Sequence, residues 1–156
     1  MPPDIVGLLT LQERDQRLQE LRKELERIPR EQDLARERLA AHQQAVDDAK
    51  AVLQENEITI KGVELDVGTR KESIARLKQQ QFETRKNEEY RALGVKASHY
   101  SDEIDGLETR ELELMERGDQ LRSTLAEAEA AYSTTRGGVD EEVATLQKRA
   151  DNFSRE

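Results

Sequence analysis

Few residues in this sequence have types and spacing suited to chemistry. His42 and His99 are its two histidines, and there is no cysteine, so thiolate metal sites and disulfides are excluded for these residues. Neither histidine stands at a carboxylate spacing that resembles a metal site. Acid pairs that could serve as general acid and base are numerous, but 38% of the residues are charged, so such pairs arise by chance. The glycines of "KGVELDVGTRK" (61–71) lack the G-x-x-x-x-G-K-[ST] spacing of a phosphate loop and follow no strand. The expectation is a protein with no catalytic residues and no metal ligands.

The elements that position these residues follow from periodicity. Every seventh residue from Leu18 reads Leu18, Leu25, Gln32, Leu39, Val46, Leu53, Ile60, Val67, Ile74, Gln81. The column three residues later reads Leu21, Ile28, Ala35, His42, Ala49, Asn56, Val63, Arg70, Leu77. Together they form one seam of alternating three and four spacing, extended backward by Leu11. Gly62 and Gly68 lie off this seam and leave its phase intact, so the helix is expected to run through them at a cost of roughly 1 kcal/mol each. A second seam runs Tyr90, Ala97, Ile104, Glu111, Gly118, Leu125, Tyr132, Val139, Leu146, Phe153. Its companion is Leu93, Tyr100, Leu107, Leu114, Leu121, Ala128, Thr135, Glu142, Arg149.

The two registers disagree between Gln81 and Tyr90, which places a turn in "FETRKNEE" (82–89). Asn87 is placed to N-cap the second helix, with Glu88 and Glu89 in its first turn, where acid suits the dipole. The predicted fold is all-α: one long antiparallel coiled-coil helical hairpin over 5–156, with its turn near residues 83–87. Arm one covers about 5–82, the tip 83–87 and arm two about 88–156. Arms of about 70 residues would be on the order of 100 Å long at 1.5 Å per residue. Facing residues should be equidistant from the turn, which sets Arg70 near Tyr100 and Ile104, and Gln32 near Val139. Pro29 removes a helical donor and would then stand near Gly137 and Gly138, so Pro29, Gly137 and Gly138 form a candidate hinge with a break at 136–139. The alternative is a second helix that ends at "TTRGGVDEE" and a short third one after it.

Charge is distributed unevenly. Between Thr69 and Lys96, eight basic residues stand against four acidic ones, a local +4 that leaves −13 for the rest of a chain of net charge −9. A basic tip could steer toward an acidic protein surface or an RNA backbone; a merely solvated helical surface with paired charges is the structural alternative. Tyr90 falls on the seam, and Phe82 is placed to plug the turn or, with Tyr90, to stack on bases. The start, "MPPDIVGLLTLQERD", has neither a basic n-region nor an apolar run long enough for a signal peptide or span. A soluble, cytoplasmic protein without membrane contact is expected.

Three stretches resemble bacterial coiled-coil proteins that carry a C4-type zinc ribbon after a helical hairpin. They are "LLTLQERDQRLQELRKELERIP" (8–29), "KQQQFETRKNEEYRALGVKA" (78–97) and "DGLETRELELMERGDQL" (105–121). The middle one is similar to the family's Lys-Asn-x-Glu-Tyr-x-Ala-Leu segment, matched by Lys86, Asn87, Glu89, Tyr90, Ala92 and Leu93. The resemblance implies a non-enzymatic adaptor or chaperone of flagellar or type III secretion components, or of the alternative sigma factor sigma-54, with RNA contact as a further implication. The partner-binding residues it suggests, joined to the basic tip, are Arg85, Lys86, Asn87, Glu89, Tyr90, Arg91 and Leu93. The family's ribbon supplies four cysteines and this chain has none, so no cofactor is expected here and zinc only with a ribbon beyond the hairpin. Residues before about Leu18 lack a partner arm, as in a hairpin cut short; a member without a ribbon is the other reading. An RNA-binding module and a structural rod, dimerising because its seam is so polar, remain the alternatives.

Overall fold

The computed structural model describes residues 2–155. Helix α1 runs Pro3–Glu83 and helix α2 runs Asn87–Arg155, joined by the three residues 84–86. The two pack against each other as a helical hairpin, with no strand among the described residues. No described helix is long and apolar enough to cross a membrane.

The chain forms two compact units. One combines the residues up to Val46 with those from Ala128 on; the other is Asp47–Glu127 and contains the turn. In the turn-containing unit, Val63, Val67 and Ile104 make the buried cluster, with Ile74, Leu107 and Leu114 packed on it. Val63 and Val67 flank Gly62 and Gly68, and α1 passes through both glycines without interruption. Burial of the seam residues on either side outweighs the propensity cost of two exposed glycines, because each buried aliphatic side chain contributes about 1.5–3 kcal/mol. In the other unit the buried residues are Ile28, Ala35, Val46, Val139 and Leu146. All of these lie on the two predicted seams.

The seam is not uniformly apolar. Asn56 is buried to 8% exposure and donates from Nδ2 to the carbonyl of Leu114 at 3.0 Å. Opposite it stands Gly118, where a Cβ would come within 3.0 Å of that same nitrogen. A side chain on one helix thus occupies the space vacated on the other. Further along the same unit, Arg70 Nε donates to Glu103 Oε2 at 2.7 Å, and His99 Nε2 lies 3.1 Å from Glu103 Oε1. Arg70 therefore sits one residue from its expected neighbour Ile104. In the unit containing the chain ends, Gln32 donates to the Val143 carbonyl at 3.4 Å and Arg38 pairs with Glu142 at 2.7 Å.

Three expectations change. First, α2 stays helical through 136–139, so the described residues have neither a break there nor a third helix. Neither glycine adopts a positive φ, and Val139 and Leu146 hold this stretch against α1. Second, Pro29 does not share a height with the glycine pair. Gly138 lines a hollow with Ala41 and His42, while the Gln32–Val143 bond sets Pro29 near Leu146, about 12 Å further along at 1.5 Å per residue. Third, the companion column of α2 drifts at its end: Arg149 is exposed, and Val143 and Ala150 are half-buried in place of a strict heptad. A straight helix of 3.6 residues per turn rotates about 20° per heptad, which moves the contact stripe in this way.

Candidate functional site at the hairpin tip

The turn is made by complementary helix ends. The Thr84 N–H donates to the Gln80 carbonyl, closing α1, and the Tyr90 N–H donates to the Lys86 carbonyl, opening α2, each at 3.0 Å. Lys86 thus occupies the N-cap position and Asn87 the first helical one, so the cap falls one residue earlier than the sequence suggested. Side-chain contacts brace the turn. Thr84 Oγ1 donates to Glu89 Oε2 at 2.9 Å, and Lys86 Nζ lies 3.9 Å from Glu89 Oε1. Glu89, in the first turn of α2, holds both the turn and a favourable place on the helix dipole. Gln81 Nε2 crosses from α1 to the Tyr90 carbonyl at 2.9 Å. A Cβ on Gly94 would come within 2.9 Å of that amide nitrogen, so the absence of a side chain at 94 admits the crossing.

The candidate residues lie close together at the turn and differ in exposure. Arg85, Lys86, Asn87 and Arg91 are exposed, whereas Leu93 is half-buried. Leu93 lines a shallow hollow of about 340 Å³ with Gln80, Thr84, Glu89, Ala92 and Lys96. Tyr90, although in phase with the second seam, is 52% exposed because α1 ends opposite it. Phe82 does not plug the turn. It is 87% exposed, the most open of the large hydrophobic side chains, and follows Lys78 by one helical turn. Its direction depends on the rotation at which α1 ends, and the seam residues Leu77 and Gln81 set that rotation.

The remaining titratable groups are organised elsewhere. His42 and His99 fall in different units. No group of three or more His, Cys, Asp or Glu residues that could hold a metal occurs among the described residues. Glu111, a polar position on the second seam, has its pKa raised by desolvation, then by a hydrogen bond and like charge from Glu64 and by Glu108, with Lys71 opposing. These groups span the two helices.

Comparisons with known proteins found no match, neither among family models, nor among curated proteins, nor among solved structures.

Proposed function

We propose that this chain is a non-enzymatic interaction protein, an adaptor or chaperone that captures a partner protein through the hairpin tip. The observation that carries the reading is Phe82: a large aromatic side chain left 87% exposed at the end of α1, in a segment of local charge +4. An exposed aromatic among cations is the composition of an interface anchor, since aromatic and Arg residues are enriched at interface cores. The complementary partner surface is acidic with an apolar recess. Arg85, Lys86 and Arg91 supply steering and Phe82 with Tyr90 the apolar contact, while Glu89 shapes the turn and Asn87 and Leu93 border the surface. By its resemblance to the zinc-ribbon hairpin family, the partner is a secretion or flagellar component or sigma-54, and the compartment is the cytoplasm. Zinc belongs to this function only where a ribbon accompanies the hairpin.

Two exposed aromatics beside cations also suit stacking on single-stranded RNA, which gives the competing reading. A crosslinked pull-down from native lysate separates the two. The wild-type chain is compared with the Arg85→Glu/Lys86→Glu/Arg91→Glu variant and with Phe82→Ala, each with and without RNase. Capture of one protein that survives RNase and is lost in both variants, at unchanged helicity, is the expected result. Recovery that disappears with RNase, with an affinity falling steeply in salt, would transfer the function to RNA. Capture indifferent to both variants would remove the site from the tip.

A further inference from the structure

The face of α1 opposite the seam carries a second repeat, confined to the unit Asp47–Glu127. It runs through Ile58, Lys61, Leu65, Gly68, Glu72 and Ala75 at alternating spacings of three and four, the spacing of a helix–helix interface. All six residues are exposed, and Ile58 and Leu65, at 63% and 72%, are large aliphatic side chains left open to water. Outward from the midpoint between Leu65 and Gly68, this stripe is complementary to its own reverse. Leu65 is matched by Gly68 and Ile58 by Ala75, large against small; Lys61 is matched by Glu72, base against acid. Further out Gln54 is matched by Gln79, and each amide can both donate and accept. The exposed columns on either side behave alike. Glu57 and Glu64 are matched by Lys78 and Lys71 on one side, and Glu55 by Arg76 on the other.

We infer that a second copy of this chain packs antiparallel along this face of α1, across a two-fold axis between Leu65 and Gly68. Antiparallel helices set each flanking column against the same column of the other helix, so the acidic end of one meets the basic end of the other. Glu57 of one copy then faces Lys78 of the other, Glu64 faces Lys71, and the isologous contact makes each pair twice. Leu65 enters a shallow hollow of about 490 Å³ beside Gly68 of the other copy, which Lys61, Glu64, Thr69 and Glu72 also line. Nothing stands within 4 Å of a Cβ placed on Gly68 in the single chain, so packing within one hairpin does not account for a glycine there. A second helix does, because the missing side chain admits Leu65. A parallel pair is disfavoured, since it would set Lys61 against Lys61 and Glu72 against Glu72. The match has a limit: Ala51 meets Phe82 in the outermost layer, and beyond it Lys50 would meet Arg85 and Asp48 would meet Glu83. Those like charges end the interface before the turn, and the inference does not rest on the tip's partner.

Sedimentation equilibrium of the full chain, without any partner, tests it. The wild type should show a monomer–dimer equilibrium that weakens as salt is added, because the flanking pairs are exposed to solvent. Lys71→Glu/Lys78→Glu should weaken the dimer by about tenfold or more, as should Glu57→Lys/Glu64→Lys, since each set turns attractive pairs repulsive. Mixing the two variants restores opposite charge at every one of these positions, so they should form a heterodimer where neither self-associates. A folding defect would not give that result. The register has its own test in a chain without native cysteine. Ile58→Cys chains mixed with Ala75→Cys chains should oxidise to a linked heterodimer, and neither should link alone. A wild type that is monomeric throughout, a dimer indifferent to the charge exchanges, or Ile58→Cys chains that link to themselves overturns the inference. The tip's partner is absent from these measurements, so their failure would leave the capture experiment to be decided separately.

Discussion

Asn56 and Gly118 illustrate how a single polar position fixes the pairing of two helices. A slip of one turn would separate the amide from the Leu114 carbonyl and bring it against a side chain where none is missing. The two residues should therefore respond differently from glycines elsewhere. Gly62, with nothing near its missing Cβ, should gain about 1 kcal/mol on substitution by alanine, the difference in helix propensity. Gly118→Ala should gain nothing, because the new methyl displaces the Asn56 amide and the lost buried bond costs about 1 kcal/mol. Urea unfolding of the two variants checks this; equal gains would mean that the amide relocates freely. The sequence already showed Asn56 and Gly118 as departures from their seams, but not that they meet. Their meeting depends on the rotation of both helices, which no count along one strand of text contains.

The seam is the most readable feature at the scale of the helix, because heptad phase is a property of the interface. Ile60, Val63 and Val67 stayed in phase through two glycines, and α1 does run through them. The jump in phase between Gln81 and Tyr90 located the turn for the same reason. What phase does not report is anything outside the stripe: the direction of Phe82, the identity of the cap, and the charges that flank the seam. Glu64 on α1 is such a flank, beside the seam position Glu111 on α2, and burial with shared hydrogen bonding raises the Glu111 pKa. The folded chain then holds this proton more tightly than the unfolded one. Its contribution to stability is complete below the ordinary glutamate range and is lost as pH rises through the raised value of Glu111. Thermal midpoints of the wild type should accordingly fall over that interval, and Glu111→Gln should flatten the fall and raise the midpoint at neutral pH. An identical pH profile in the variant would assign the dependence to other carboxylates.

For the molecule as a whole, the contacts across the hairpin follow one progression. Gln81 meets Tyr90 nine residues away, Arg70 meets Glu103 at a separation of 33, and Asn56 meets Leu114 at 58. Arg38 meets Glu142 at 104 and Gln32 meets Val143 at 111. Each contact made shortens the loop that the next must close, so the chain is expected to zip from its turn, with early contacts local and late ones dependent on them. Ile104→Ala, near the turn in sequence, should then slow folding, whereas Leu146→Ala should mainly accelerate unfolding. Stopped-flow measurements on the two variants check the order, each losing about 2–5 kcal/mol of stability if the cavities stay open. Helix α1 precedes α2 in the chain, so its apolar stripe is synthesised before the α2 residues that cover it. During that interval the newborn helix has the same need for a temporary companion that its finished tip is proposed to meet in others.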